Sequence, residues 1–200
     1  MSTRIAESAD VDATAQIGAG SSIWHLAQIR ENARVGLSCV VGRGVYIGPG
    51  IIIGDMTKIQ NHALIYEPSE LGDGVFVGPG VVLTNDVFPR AVNPDFTPKG
   101  PSDWELAGVT INEGASLGAQ SVCVAPVVIG RWAMVAAGSV VLKDVPDFAL
   151  VAGSPAVQKG WVGRAGRRLD RIDSETWRCP ATGARFVKTV DNALLTEEDE

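Results

Sequence analysis

Aliphatic residues recur at every sixth position over the first eighty residues of the chain. The series Ile5, Val11, Ile17, Ile23, Ile29, Val35, Val41, Ile47, Ile53, Ile59, Ile65, Leu71, Val77 and Leu83 has no miss in fourteen positions. Two residues before each stands a small or narrow side chain, among them Ala9, Ser21, Ala27, Ala33, Cys39, Thr57 and Ala63, with Ile51 the one bulky exception. Glycine follows the aliphatic residue at Gly18, Gly36, Gly42, Gly48, Gly54, Gly72 and Gly78. A period of six matches neither the 3.6 of a helix nor the 2 of an alternating strand. It predicts a short strand plus a corner, repeated, with one aliphatic side chain per side aimed at a common axis. The narrow residue tucks in near the corner, where bulk does not fit. Glycine at the corners is expected to supply backbone conformations that other residues reach only at a cost. Such a coil cannot bury its apolar face alone, so coils must stack and cap one another.

The period stops after Leu83 and resumes at Ile111, Leu117, Cys123, Ile129, Val135 and Val141. The step from 83 to 111 is not a multiple of six, so Asn85 to Gly108 is an excursion from the coil. It holds Pro89, Pro94, Pro98 and Pro101, which block strand pairing and stiffen the chain. Phe88, Phe96 and Trp104, with the polar Asn85-Asp86 entry, favour a functional loop. The pattern resembles the hexapeptide-repeat proteins, and the resemblance implies an all-β, left-handed parallel β-helix in which three hexads make one triangular coil. The expected organisation is a β-helix domain over residues 1–150, with its loop at 85–108. A small helix or hairpin extension follows over 151–200.

Composition narrows the setting. A net charge of −6 argues against a nucleic-acid binder. No stretch resembles a membrane span, and MSTRIAESAD lacks a charged-then-apolar leader, so a cytoplasmic location is expected. Cys39 and Cys123 fall in inward registers and Cys179 near the end, which makes no disulfide framework. WRCP at Trp177–Pro180 has no second Cys pair, which argues against a zinc ribbon. Arg164, Arg167, Arg168 and Arg171 cluster after the last coil, as a solvated helix face or a phosphate-holding patch. Glu197 to Glu200 reads as a disordered acidic tail.

Stacking turns sequence distance into space. With eighteen residues per coil, residues eighteen apart lie about 4.8 Å apart along the axis. Glu31, Pro49, Glu67 and Asn85 then share a column, and Arg30, Tyr66 and Thr84 share its neighbour. One edge thus gathers Arg30, Glu31, Tyr66, Glu67, Asn85 and Asp86 beside a loop bearing Arg90. Converging polar and charged groups make it the candidate site. His25 and Asn61 share another column with His62 adjacent, where they reach a site only if it is shared between neighbouring prisms.

IWHLAQIREN (23–32), ALIYE (63–67), VGPGVVLTND (77–86) and GSVVLKDVPDFALVAGSPAVQKGWVGRAG (138–166) narrow the likeness. They resemble the nucleotide-sugar N-acetyltransferases of bacterial surface-polysaccharide (O-antigen) synthesis, above all those acting on UDP-2-acetamido-3-amino-2,3-dideoxyglucuronate. The resemblance implies a homotrimer with acetyl-CoA as co-substrate, lying along the prism between adjacent subunits, and no metal. It assigns the reacting amine to Asn85 and the sugar nucleotide to Tyr66, Glu67, Asp86 and Arg90, with His25 and Arg30 beside them. The chemistry of acetyl transfer to an amine adds a catalytic part for Glu67, which orients the amine or accepts its proton. Gly118, Ala119, Ala136 and Ala137 would admit the pantetheine arm, and Ser154, Pro155 and Lys159 would meet the nucleotide end of CoA. Ser154 stands where the family often has Asn, and His62 where another polar residue is usual. Two other readings use the same scaffold: transfer to a dTDP-3-amino-3,6-dideoxyhexose, and a noncatalytic structural prism. A carbonic anhydrase of this fold needs three zinc-binding histidines, and the chain has two.

Overall fold

The hexads become two-residue strands distributed over three sheets, in a computed structural model that describes residues 2–100, 102–189 and the backbone of Leu195–Glu197. The first face has nine strands, from Arg4–Ile5 to Val157–Trp161; the second has seven, from Asp10–Val11 to Val140–Val141; the third has six, from Gln16–Ile17 to Val127–Ile129. Successive strands move from face to face, and each pairs in parallel one coil on, as in Ile29↔Ile47, Ile47↔Ile65 and Ile65↔Leu83. The chain is therefore an all-β parallel β-helix. Ile23 through Leu83 of the aliphatic series are buried along its axis, and so are the narrow residues beside them. Where the narrow residue is polar it bonds inward: Ser21 Oγ donates to the Gly36 carbonyl at 2.8 Å, and Thr57 Oγ1 to that of Gly72 at 3.0 Å. Ile5, at the open end of the stack, is 48% exposed.

The corners correct one expectation. The left-handed residue is not the glycine that follows the aliphatic one but the residue two further on. Gly20, Leu26, Asn32, Ser38, Gly44, Gly50, Met56 and His62 all take it, with φ between 55° and 77°. The glycines next to the aliphatic residues serve a different constraint, which is the close approach of coils. A Cβ on Gly42 would sit 2.7 Å from the Asn61 nitrogen, and one on Gly78 2.6 Å from that of Ala119.

After strand Val82–Leu83 the chain leaves the second face and returns to the third at Val109–Ile111. The excursion closes on itself: Ala107 N donates to Asn85 O at 3.2 Å, and Asp86 bridges Leu106 antiparallel. Above it the faces resume without slippage, Leu83 pairing with Cys123, and Ala125 N donates to Thr84 Oγ1 at 3.0 Å.

The C-terminal extension differs from expectation. Among the described residues it contains no helix. Strand Val157–Trp161 folds back on Ala149–Ala152, and a separate four-stranded sheet runs through Asp170–Arg171, Thr176–Arg178, Arg185–Lys188 and Leu195–Glu197. The arginine cluster sits on a turn instead of a helix face: Val162 bridges Arg168, and Gly163 N donates to Arg167 O at 3.0 Å. Gly160, Gly163 and Gly166 each disfavour a helix there. The sheet buries Trp177, Cys179 and Phe186, and Phe186 meets Phe148 of the solenoid edge-on at 5.2 Å. Cys39, Cys123 and Cys179 are all buried, and none of them is in a disulfide. Glu197 belongs to a strand, contrary to the expected tail, and Glu198 to Glu200 lie outside the described residues. Among the described residues no helix is long and apolar enough to cross a membrane.

Candidate active site

The edge between the second and third faces carries a cleft of about 600 Å³ lined by Tyr46, Tyr66, Glu67, Asn85, Asp86, Arg90, Ala91, Lys99, Gly100 and Trp104. Five of the residues expected from the sequence meet there: Glu67, Asn85, Tyr66, Asp86 and Arg90. Strand Leu64–Ile65 delivers Tyr66 and Glu67 into the corner, and Val82–Leu83, paired directly above it, delivers Asn85 and Asp86. Thr84 fixes the exit by its bond to the next coil, and Asp86 Oδ1 accepts from Phe88 N at 2.9 Å to start the loop.

Glu67 is the unusual group. Its Oε2 is buried and has no hydrogen-bond partner among the described residues. The carboxylate fits because residue 48, one coil below, is glycine: a Cβ there would lie 2.5 Å from Oε2. A buried carboxylate oxygen without a donor is costly, so such an atom in a cleft marks a place where a ligand donor belongs. The wall beside it is aromatic, with Tyr46 and Tyr66 tilted against each other at a centroid distance of 5.2 Å. Burial first, then the Glu67 charge, push the Tyr46 phenol above its usual value, while Arg30 pulls it down.

Arg30 does not itself line the cleft. Its Nε and Nη2 grip Glu31 at 2.8 and 3.1 Å, which raises the Arg30 guanidinium, and its influence reaches Tyr46. The internal hydrogen bond and then Arg30 hold Glu31 below the usual carboxylate range.

The remaining expected residues lie on another edge, between the first and second faces. His25 lines a second depression of about 370 Å³ there, with Trp24, Arg43 and Asn61, and its Nδ1 is 2.8 Å from Ser8 Oγ. Gly118, Ala119, Ala136 and Ala137 continue that edge upward, since Phe76↔Ser116 and Ser116↔Met134 are in register. The exposed Ser154-Pro155 turn follows Val151, which pairs with Val135 on the first face; Lys159 is exposed on the returning strand. His62, at a left-handed corner with φ 61°, lays its ring against Gly44. Within one chain, then, Tyr66, Glu67, Asn85, Asp86 and Arg90 share one edge, while His25, expected with them at the sugar nucleotide, lies on the other edge with Gly118, Ala119, Ala136 and Ala137, the residues expected at the pantetheine arm.

Sequence reasoning missed Tyr46, Lys99 and Trp104 as cleft residues. Tyr46 is a strand residue on the outer side of the second face and not a corner residue, although its place one coil below Leu64 is fixed by the same register. Lys99 and Trp104 stand on the excursion, where no period locates them.

Residues 50–85 match the family described as bacterial transferase hexapeptide (six repeats). A stretch of 65 residues is 51% identical to a dTDP-3-amino-3,6-dideoxy-alpha-D-galactopyranose 3-N-acetyltransferase of Aneurinibacillus thermoaerophilus, covering 32% of this chain and 34% of that one. The match thus spans about a third of that relative's length. A hexapeptide-repeat-containing acetyltransferase from Vibrio cholerae superposes with a TM-score of 0.50 at 25% identity, over 62% of this chain and 70% of the other. An N-acyltransferase from Bacillus cereus, solved as a point variant with dTDP and Coenzyme A, shares the fold alone: TM-score 0.51, 18% identity, 81% of this chain and 82% of that one. Residues 50–85 thus carry the hexapeptide repeat of bacterial transferases, and the chain as a whole shares the fold of these acyltransferase structures.

Proposed function

We propose that the protein is an acetyl-CoA-dependent N-acetyltransferase acting on a nucleotide-linked amino sugar. The observation that carries this reading is the unpartnered Glu67 Oε2 beside Asn85 in a cleft that also holds Arg90 and Lys99. An amino group supplies the donor the carboxylate lacks, and the two cations suit the anionic part of a sugar nucleotide. In the reaction the neutral amine nitrogen attacks the thioester carbonyl, the C–S bond breaks, and CoA leaves as thiolate. The proton lost by nitrogen passes to Glu67 or is steered by it, while Asn85 holds the amine in line. Holding both partners in line offsets about 7–11 kcal/mol of barrier, so little further chemistry is needed.

The acceptor we favour is UDP-2-acetamido-3-amino-2,3-dideoxyglucuronate, because Arg90 and Lys99 provide a cation for the sugar carboxylate beyond what the diphosphate takes. The second reading, a dTDP-3-amino-3,6-dideoxyhexose, is supported by the relative that is 51% identical over 65 residues. The assembly we favour is a trimer. Tyr46, Leu64, Val82, Val122 and Val140 stack in register on the outside of the second face, an apolar ladder between the two site-bearing edges. Closing three copies over that face brings the His25 edge of one copy, with Ala119 and Ala137, beside the Glu67 edge of the next.

Incubation with acetyl-CoA and a panel of amino-sugar nucleotides, read as thiol release, tests the activity. Release with the glucuronate acceptor is expected; no release with any member overturns the reading. Asn85→Ala with unchanged turnover removes Asn85 from the reaction, and Glu67→Gln with an unchanged pH–rate profile removes Glu67 as base. Light scattering should report three copies, and Val122→Glu should give monomers without transfer.

A further inference from the structure

The first coil is the open end of the solenoid, yet it carries two side-chain contacts to the coil above. Ser8 Oγ lies 2.8 Å from His25 Nδ1, and the Arg4 guanidinium sits 4.8 Å from the centre of the Trp24 ring. Trp24 and His25 are neighbours on the wall of the second depression, with Arg43 and Asn61. Their backbone is held from below as well. Ala6 N donates to Ile23 O at 2.9 Å, Leu26 N to Ser8 O at 3.1 Å, and Asp10 N to Ala27 O at 2.8 Å. Trp24, His25 and Leu26 are all exposed, and exposed side chains ordinarily exchange rotamers quickly. Here each ring is tied to the first coil instead. Asn61 is fixed in the same way, its Oδ1 accepting from Arg43 N at 2.9 Å. Contacts between exposed groups add little to folding. They suit a ligand-facing wall, because a group fixed beforehand need not be ordered on binding. With Nδ1 taken by Ser8, His25 meets a ligand through Nε2.

We infer that Arg4 and Ser8 are positioning residues for the acceptor: Arg4 holds the Trp24 ring, and Ser8 the His25 imidazole, in the pose in which they meet the sugar nucleotide. This rests on the function and the closing of copies proposed above, which bring the His25 edge of one copy to the Glu67 cleft of the next. The depression and the cleft stand at one height, since Asn61 immediately precedes the strand Leu64–Ile65 that delivers Glu67. Gly118 and the other residues expected at CoA lie higher on the His25 edge, because Lys58 pairs with Phe76 and Phe76 with Ser116. A disturbance in the first coil is therefore felt by the acceptor and not by acetyl-CoA. The coil with the thinnest packing has a use in binding that its share in stability does not suggest.

Two measurements test it. Ser8→Ala and Arg4→Gln should each raise KM for the amino-sugar nucleotide about fivefold, the size of one exposed contact. KM for acetyl-CoA and the melting temperature should stay where they are. Ser8→Thr, which keeps the hydroxyl, should restore the acceptor KM. An acceptor KM that ignores both variants overturns the inference. So does an equal rise in KM for acetyl-CoA, or a lowered melting temperature, either of which gives the first coil a merely structural part. The second measurement needs no turnover. The chain has two histidines, so in a His62→Gln background the imidazole nitrogen resonances report His25 alone. Adding Ser8→Ala should move both, because the bond at one ring nitrogen governs the protonation of the other, and Ser8→Thr should return them. Arg4→Gln should likewise move the indole N–H resonance that is missing from Trp24→Phe. Resonances that ignore these changes overturn the inference. If the protein acetylates no amino sugar, the function fails while these spectra still decide whether the first coil holds the two rings.

Discussion

Gly48 is small for the sake of a side chain on another coil. A methyl group there would meet Glu67 Oε2 at 2.5 Å, and the carboxylate would have to leave its seat. Gly48→Ala is therefore expected to lower acetyl transfer by about 10–100-fold, the usual penalty for a small misplacement of a reacting group. The melting temperature should fall as well, because the same Cβ would press on the backbone of the next coil, 3.1 Å from Glu67 N and 3.3 Å from Ile65 O. Steady-state kinetics beside a thermal scan checks both. Cys123 makes a prediction of opposite kind. Desolvation pushes its thiol from 9.0 up to about 12, so the folded state keeps a proton that the unfolded chain gives up. Its stabilising contribution is whole below pH 9.0 and is lost as pH rises toward about 12. The expected slope is about 1.4 kcal/mol per pH unit. Urea unfolding across that range should show the decline, and Cys123→Val should flatten it. At this scale the sequence was informative where the period reached: Glu67 and Asn85 fall in one column by spacing alone. It was silent about the orphaned oxygen, because burial of a single carboxylate atom depends on packing that no register encodes.

Among the elements, the two-residue strands were legible and the corners only partly so. The period located each corner, but the glycines that mark it are required by contact with the next coil, and the left-handed residue lies two positions later. The C-terminal arginines read as a helix face because charge runs often are one; the glycines among them turned the segment into a hairpin instead. The excursion was identified by the break in period, yet its fold was not, since proline and aromatic residues without periodicity fix no partner. Its anchoring yields a prediction. Asn85 O and Ala107 N are already joined at 3.2 Å. Replacing residues 86–106 by two glycines should leave the circular dichroism spectrum and melting temperature near those of the intact chain. Transfer should vanish, since Arg90, Lys99 and Trp104 go with the loop. A collapsed spectrum would show that the coils depend on the excursion.

For the whole molecule, each coil touches only the coils above and below, so stability is distributed along one dimension. The lower end is open, with Ile5 48% exposed and Val11 and Ile17 only partly covered. The upper end is closed by the sheet carrying Trp177 and Phe186. Native-state hydrogen exchange should find the least protection in strands Arg4–Ile5, Asp10–Val11 and Gln16–Ile17, and the most around Ile47, Ile65 and Leu83. Uniform protection would contradict stepwise stacking. The prism could be read from the sequence because its repeats are equivalent. The division of site residues between two edges could not, because it depends on where each strand falls among the three faces.

The closed root of the excursion has a consequence for change over time. Departure and return share one backbone bond, and the coils above resume in register with those below, so the scaffold does not sense what the loop contains. Loop length and chemistry are thereby free to vary while Glu67 and Asn85 stay in place. A loop taken from another solenoid and joined at Asn85 and Ala107 would bring its own preference to an unaltered reaction centre, making acceptor choice an exchangeable part.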